Sequence, residues 1–150
     1  MRWFQKNNLF LYKEKQKILS KLSGVKKTGS PIPFQESKYE EVYERTYRAE
    51  ENIYRFYNGA FDPDWIKPYR KTADKAEAEF LNVSKQYAFK KSGITIEQVN
   101  DPDVDSLAER YARTDLLALQ DNVQVKLLGE RLKNQKKEYV KAASVYEKLY

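Results

Sequence analysis

The C-terminal third of the chain, residues 103–150, reads DVDSLAERYARTDLLALQDNVQVKLLGERLKNQKKEYVKAASVYEKLY. This stretch contains no proline and a single glycine, Gly129. Asp103 and Asp105 favour a helix start, because the N-terminal end of a helix dipole is positive, and the lysines further along favour a helix end. We therefore predict one long helix over about residues 104–149, within an all-α protein.

Apolar side chains recur along this helix in alternating steps of four and three, which is the seven-residue repeat of paired helices. We call this row the seam. Its positions are Leu107, Tyr111, Thr114, Ala118, Asp121, Val125, Leu128, Leu132, Gln135, Tyr139, Ala142, Tyr146 and Leu149. The polar members, Thr114, Asp121 and Gln135, are typical of residues that fix register or partner number at some cost in stability. The repeat predicts a contact of the coiled-coil type.

The length of the helix limits where the seam can be buried. A straight helix of about 45 residues is roughly 68 Å long, whereas a compact domain of this size is about 40 Å across. Either the helix breaks near Asn122 or at Gly129 and folds back, or it stays straight and another chain covers it. Gly129 costs only about 1 kcal/mol in a helix interior, so we favour the straight helix.

Composition excludes several classes of enzyme. The 150 residues include no cysteine and no histidine, which removes Ser-His-Asp and Cys-His nucleophile systems, the common zinc sites and histidine-dependent di-iron centres. No glycine-rich phosphate loop or nucleophile elbow occurs. We therefore expect a protein that is not an enzyme and that needs no cofactor or metal. The high charged fraction, 33%, and the mean hydropathy of −0.86 favour an elongated or partner-covered shape.

Two acidic patterns could nevertheless carry chemistry. Asp101, Asp103 and Asp105 alternate like a calcium loop, but Ser106 and Ala112 occupy the positions that need glycine and the bidentate glutamate. Helix capping explains the aspartates better. A row of glutamates at 36, 40 and 44 lines one helical face, but no opposing carboxylate pair is apparent, so solvated or ion-paired side chains are the simpler interpretation.

The sequence offers no membrane span and no signal peptide. No run of eighteen apolar residues occurs, and the apolar cluster at residues 9–12 is short and leads directly into lysines. We expect a cytoplasmic protein, or a component of an assembly such as a virion that forms in the cytoplasm.

The net charge of +6 is concentrated at the N-terminus. Residues 1–35 hold eight basic side chains and one acidic one, whereas residues 36–150 hold twenty basic and twenty-one acidic. We divide the chain accordingly into a basic N-terminal arm with a Pro/Gly linker, 1–35, and a helical domain, 36–150. The arm reads as an amphipathic helix from about Asn8, which either packs its apolar face on protein or lies on an anionic surface, nucleic acid or lipid. The candidate nucleic-acid contacts are Trp3, Lys6, Lys13, Lys17, Lys21, Lys26 and Lys27.

The linker, residues 23–35, contains Gly24, Gly29, Pro31 and Pro33, and its Pro-Ile-Pro predicts an extended segment lying across another surface. A second helix begins with the capping box Ser37-x-x-Glu40 and ends before Gly59. Its tyrosines form one stripe, at Tyr39, Tyr43, Tyr47, Tyr54 and Tyr57. Because tyrosine and arginine are enriched at interface centres, this stripe indicates either a protein interface or a half-buried tyrosine face.

A third helix is predicted from Tyr69 or Thr72 to Lys91, ended by Gly93. We expect Pro68 to end or kink the segment before it, and Trp65 and Ile66 to close the end of the helical layer. Residues 95–99 predict a single helical turn with Thr95 as cap and Gln98 closing the box.

Together these patterns predict an elongated all-α bundle of three to four helices. The function they favour is a non-enzymatic structural or interaction protein, a small subunit of a homo-oligomer or multi-protein complex of the kind found in virions, connectors and ribonucleoproteins. The predicted interface comprises Tyr39, Tyr43, Tyr47, Tyr54, Val125, Leu128, Leu132, Tyr139 and Tyr146. One alternative is an accessory protein that binds nucleic acid through the basic arm, and a third hypothesis is a small inhibitor or toxin-like binder that docks on one partner enzyme.

Overall fold

The computed structural model describes residues 2–25, 27–56 and 63–149, with side chains from Asn8 to Lys148 within those ranges. The described part of the chain forms four helices and no named strand. They are α1 (Arg2–Ser23), α2 (Glu36–Phe56), α3 (Lys67–Ser92) and α4 (Pro102–Leu149). The predicted all-α bundle with a long C-terminal helix is therefore confirmed.

Helix α4 is the central element, because it packs against each of the other three helices. Its 48 residues are continuous through Asn122 and Gly129 and span about 72 Å. The fold-back that the single glycine would have permitted does not occur. α1 runs antiparallel to α4, as the pairing of Asn8 with Asn122 and of Lys15 with Asp115 shows.

Helices α2 and α3 form an antiparallel pair beside α4. Their contacts include the buried hydroxyl of Thr46, which donates to the backbone carbonyl of Ala76 over 3.2 Å. The apolar core between these helices and α4 contains Phe80 and Leu119, both fully buried. A second cluster joins α1 to the N-terminal half of α4 through Ile18 and Leu22, which are also fully buried.

The N-terminal segment packs on the rest of the chain. α1 begins at Arg2, not near Asn8 as predicted, and its apolar face lies on α4 and α3. The linker is extended, as its prolines predict, and crosses the turn that follows α3: Ile96 donates its backbone N–H to the carbonyl of Ser30 over 2.9 Å. Phe34, at its end, is buried in the core beside α2 and α3.

The helix boundaries follow local sequence rules with a few shifts. α2 begins at Glu36, so Ser37 lies inside its first turn and not before it. Pro68 lies in the first turn of α3 and does not end a preceding element, because the first turn of a helix needs no backbone donor there. Of the predicted end plug, Ile66 is fully buried, but Trp65 is 53% exposed, since only one of two adjacent side chains can face the core.

The ends of α3 and α4 are capped as the sequence suggests. Gly93 adopts the left-handed conformation with φ of 72°, and Ile94 donates its N–H to the carbonyl of Phe89, which completes a Schellman motif. Asp101 accepts the backbone N–H of Asp103 over 2.9 Å and so caps α4. The side chain of Gln98 accepts the N–H of Thr95, which is half of the predicted box. Residues 96–100 form turns and not the predicted helical turn, because the Thr95 hydroxyl donates to the carbonyl of Thr28 in the linker and does not cap a helix.

The two glycines at Gly129 and Gly93 generate opposite predictions for substitution by alanine. At Gly129 an added Cβ meets nothing within 4 Å, so Gly129→Ala is expected to stabilise α4 by about 1 kcal/mol through helix propensity. At Gly93 the left-handed backbone disfavours any Cβ, so Gly93→Ala is expected to destabilise by about 1 kcal/mol. Helical content by circular dichroism and urea unfolding measure both effects.

A loss of helical signal in Gly129→Ala would contradict a continuous α4. It would mean that the glycine is needed for a bend.

Candidate functional site

The last eighteen described side chains of α4, residues 131–148, extend beyond the bundle. We call this segment the overhang. Every one of its side chains is exposed. Just before the overhang, Glu130 forms an ion pair with Arg55 of α2, with 2.8 Å between Nη1 and Oε2. No helix in the described ranges is long and apolar enough to cross a membrane.

The exposed overhang nevertheless carries large apolar side chains. Leu132 is 49% exposed, Tyr139 79% and Tyr146 64%, and all three belong to the predicted interface. Val125 and Leu128, the two seam residues before them, are half-buried where α4 leaves the bundle. The seam therefore passes from the protein body into solvent without a break in the helix.

Within the body, the seam borders the buried face of α4 and does not coincide with it. The buried residues of α4 include Ala108, Asp115, Leu119, Val123 and Leu127, and of the seam positions only Tyr111 and Ala118 are buried with them. Most seam positions nearby are only half-buried, including Asp121, whose pKa is raised by burial. A straight helix repeats every 3.6 residues and a seam every 3.5, so a row read with the shorter period drifts around the helix.

The predicted tyrosine stripe lies against the protein's own core. Tyr39, Tyr43, Tyr47 and Tyr54 are half-buried and pack on the cluster that joins α2, α3 and α4. The ring of Tyr39 stacks on that of Tyr87, with centroids 4.3 Å apart and planes 13° from parallel. Tyr57 lies outside the described residues. The stripe thus accounts for intramolecular packing, while the predicted interface residues of the overhang face solvent.

A buried carboxylate at Asp115 links all four helices. One carboxylate oxygen accepts the hydroxyls of Tyr39 on α2, over 2.6 Å, and Ser84 on α3, over 2.7 Å. The other lies 3.2 Å from the ammonium nitrogen of Lys15 on α1. Burial and the nearby Asp115 charge raise the pKa of Tyr39 and of Tyr111 well above the usual range for tyrosine. We call this group the Asp115 cluster.

Replacing Asp115 by alanine is expected to destabilise the fold by about 2–4 kcal/mol. The substitution leaves two buried hydroxyls without an acceptor and removes the counter-charge of Lys15. Asp105→Ala is the matched control, because Asp105 also lies on α4 and pairs with a lysine, Lys85, at a more exposed position. That control is expected to cost less than about 1 kcal/mol.

The free energy of unfolding from urea titration measures both effects. Equal decreases in the Asp115→Ala and Asp105→Ala variants would contradict a special role for the Asp115 cluster.

A second buried carboxyl group, Glu50, faces Glu77 across the α2–α3 contact. The side chain of Gln120 on α4 donates to both, over 3.3 Å and 3.2 Å. Burial, with further contributions from the hydrogen bond and charge of Glu77, raises the pKa of Glu50 to about 8. The pair therefore holds a proton at neutral pH, and because Glu50 is fully buried it has no access to a substrate. Sequence reasoning missed this pair, since its members lie on different helices.

The raised pKa of Glu50 predicts that stability falls as pH rises from 5 to 8. Above an unfolded-state pKa of about 4.5 the unfolded chain releases the proton while the folded protein keeps it, so ionisation favours unfolding by about 3 kcal/mol over this range. Glu50→Gln, which keeps the neutral side chain, is expected to flatten the profile. The free energy of unfolding from urea titrations at each pH measures the effect, and the absence of histidine leaves few other groups titrating there.

An unchanged pH dependence in Glu50→Gln would contradict the protonated pair. Glu79→Gln is the control, because Glu79 forms an exposed ion pair with Arg45.

The basic arm is only partly available to a ligand. Lys13, Lys17 and Lys21 are exposed and follow one another at every fourth residue of α1. Lys27 donates to the carbonyl of Leu22 over 3.0 Å, and burial lowers its pKa. The side chains of the other predicted contacts, Trp3, Lys6 and Lys26, lie outside the described residues.

Several clefts open among the described residues. One of about 460 Å³ lies between the linker and α3, with Ile32, Phe89 and Ile96 among its lining residues. Its charged residues, Lys85 and Asp105, pair with each other. In the described part of the chain, no three carboxylates come together where a metal ion would bind.

Comparison with protein-family models, with curated proteins and with solved structures finds no match to this chain.

Proposed function

We propose that this protein is a non-enzymatic structural subunit of a larger protein assembly, joined to its neighbours through the overhang of α4. One observation carries the proposal: residues 131–148 are exposed on every side, yet they carry an apolar seam. A continuous helix that presents tyrosine and leucine at seven-residue spacing is the recognition element that helical partners use.

The energetics of an uncovered helix support this proposal. Most of the stability of a helix in a protein comes from packing of its apolar face, and the described side chains of the overhang are all exposed. Covering each large apolar side chain with a partner stabilises the helix by about 1.5–3 kcal/mol. A neighbouring helix along the seam therefore supplies what the bundle does not.

The class of assembly we propose follows from the small size and helical build of the subunit. Virions, connector rings and ribonucleoprotein particles are built from subunits of this kind, and a homo-oligomer is the simplest case because symmetry closes an exposed seam. We place such an assembly in the cytoplasm.

A second candidate function is nucleic-acid binding by α1. The observation that favours it is the row of exposed lysines described above, beside Phe10 and Tyr12, which are 64% and 57% exposed. Lysines bind phosphates and aromatic rings stack on bases. This function would need an anionic partner, whereas the seam of the overhang would need an apolar one. The dependence of binding on salt concentration therefore distinguishes the two functions.

Sedimentation velocity of the full chain and of a variant that ends after Glu130 tests the proposed function. The full chain is expected to sediment as an oligomer at micromolar concentrations, because its seam is covered by neighbours. The shortened variant, which keeps the body of the bundle, is expected to be monomeric with its unfolding midpoint changed little.

A monomeric full chain would reject self-assembly through the overhang. Co-sedimentation with RNA or DNA that falls steeply with salt and is lost in a variant with Lys13, Lys17 and Lys21 changed to glutamine would support the second function instead.

A further inference from the structure

The seam of the overhang faces the side of α4 that the bundle leaves uncovered. At about 100° per residue, Leu128, Gln135 and Tyr139 all lie within roughly 40° of Leu117 around the helix axis. Leu117 is 54% exposed, whereas the buried residues Ala108, Asp115 and Leu119 lie about 160–180° from it around the axis. A partner helix on the seam of the overhang therefore approaches α4 from its exposed side.

Within the overhang the seam consists of two rows, one of large residues and one of smaller or polar residues. Leu132, Tyr139 and Tyr146 form one row, and Gln135 and Ala142 belong to the other. We infer that the occupant of this seam is the overhang of a second copy of the chain, paired antiparallel so that Tyr139 of each copy packs on Ala142 of its partner. This inference rests on the proposed function and specifies its partner.

Antiparallel pairing also gives the polar seam residue a partner. In an antiparallel pair the position numbers of facing residues always add up to the same value. When Tyr139 faces Ala142 of the other copy, Gln135 therefore faces its Tyr146. A glutamine amide and a tyrosine hydroxyl can exchange a hydrogen bond. In this register each large ring therefore packs against a smaller or polar side chain, and the polar layer fixes the alignment.

The flanking charges favour this arrangement over a parallel pair. In a parallel pair, Arg131 of one copy lies beside Lys136 of the other, twice per dimer, and like charges there repel. In the antiparallel register Lys136 lies beside Ala143 of the partner, and Glu138 lies beside its Val145. No like-charged side chains then meet along the seam.

The remaining charge of the overhang stays in water. Residues 131–148 carry six basic and two acidic side chains, a net +4, and Lys133, Lys137 and Lys141 lie away from the seam. Two such segments repel each other at long range, and salt screens that repulsion. Association through the seam is therefore expected to be maintained or strengthened by salt, unlike binding to nucleic acid or to an acidic helix.

The available area indicates a dimer of moderate affinity. The four tyrosines of the pair bury about 150 Å² each, which is roughly half of the 1,200 Å² at the lower end of stable interfaces. Leu132, Ala142 and Gln135 from each copy contribute further area. We expect a micromolar dissociation constant, visible as a concentration-dependent equilibrium between monomer and dimer.

Two adjacent substitutions with the same change in charge test the seam. Tyr139→Lys introduces a charge into the seam and is expected to weaken the dimer by about 100-fold or more. Val140→Lys, next to it but off the seam, is expected to change the dissociation constant by less than about 3-fold. Sedimentation equilibrium over a dilution series, at about 0.05 and 0.5 M salt, measures both. Equal effects of the two variants, or a dimer that dissociates as salt increases, would overturn the proposal.

Energy transfer between labelled copies tests the direction of pairing. Because the chain has no cysteine, Lys133→Cys and Lys148→Cys each provide one label site, and both positions lie off the seam. A donor at 133 mixed with an acceptor at 148 is expected to transfer more efficiently than a donor and acceptor both at 133, since antiparallel pairing places 133 beside 148. The reverse order would overturn the antiparallel register.

The outcomes separate this inference from the proposed function. Suppose that the oligomer is lost in the variant ending after Glu130, but that energy transfer is stronger between two labels at 133 than between labels at 133 and 148. That result would overturn the antiparallel pair and leave the proposed assembly function standing. A chain that stays monomeric at all concentrations would overturn both.

Discussion

The bundle depends on one buried negative charge, the carboxylate of Asp115. A charge in an apolar interior is costly unless it is paired and hydrogen-bonded, and here each partner comes from a different helix: Lys15 from α1, Tyr39 from α2 and Ser84 from α3. The arrangement can be satisfied only when all four helices are in register. The cluster therefore specifies the relative positions of the helices, which the apolar contacts alone would leave less well defined.

The local features of the fold could be predicted from the sequence, because each has a short-range cause. Gly93 ends α3 through its left-handed backbone, Asp101 caps α4, and a single glycine at 129 is too weak to break a helix of this length. The partners of polar side chains could not be predicted, because Glu50, Glu77 and Gln120 come together only after three helices pack. Asp115 lies one turn after Tyr111 on the same buried face, but no periodicity in one sequence identifies Lys15 as its partner.

The tyrosines of α2 show that a stripe of this composition also serves packing within one chain. Tyrosine and arginine are enriched at protein interfaces, and α2 carries both. Tyr39 and Tyr43 instead use their rings in the core and their hydroxyls to reach Asp115 and Asn122. The arginines pair with glutamates, as Arg45 does with Glu41 and Glu79. The same composition that suits an interface also suits a half-buried face that needs both apolar area and hydrogen bonds.

The distribution of charge and the packing of α4 both separate the body, residues 36–130, from the C-terminal overhang. The residues of the body from 36 to 130 hold fourteen basic and nineteen acidic side chains, whereas the residues on either side of it are basic, at +7 before and +4 after. α4 belongs to both regions: as far as Leu127 it offers small and aliphatic residues to three neighbouring helices, and beyond Glu130 it keeps its helical spacing while its described side chains are exposed. Glu130 still pairs with Arg55 of the body, whereas the described side chains after it are exposed. The apolar residues that continue at seven-residue intervals past that point are the observation on which the proposed contact with another chain rests.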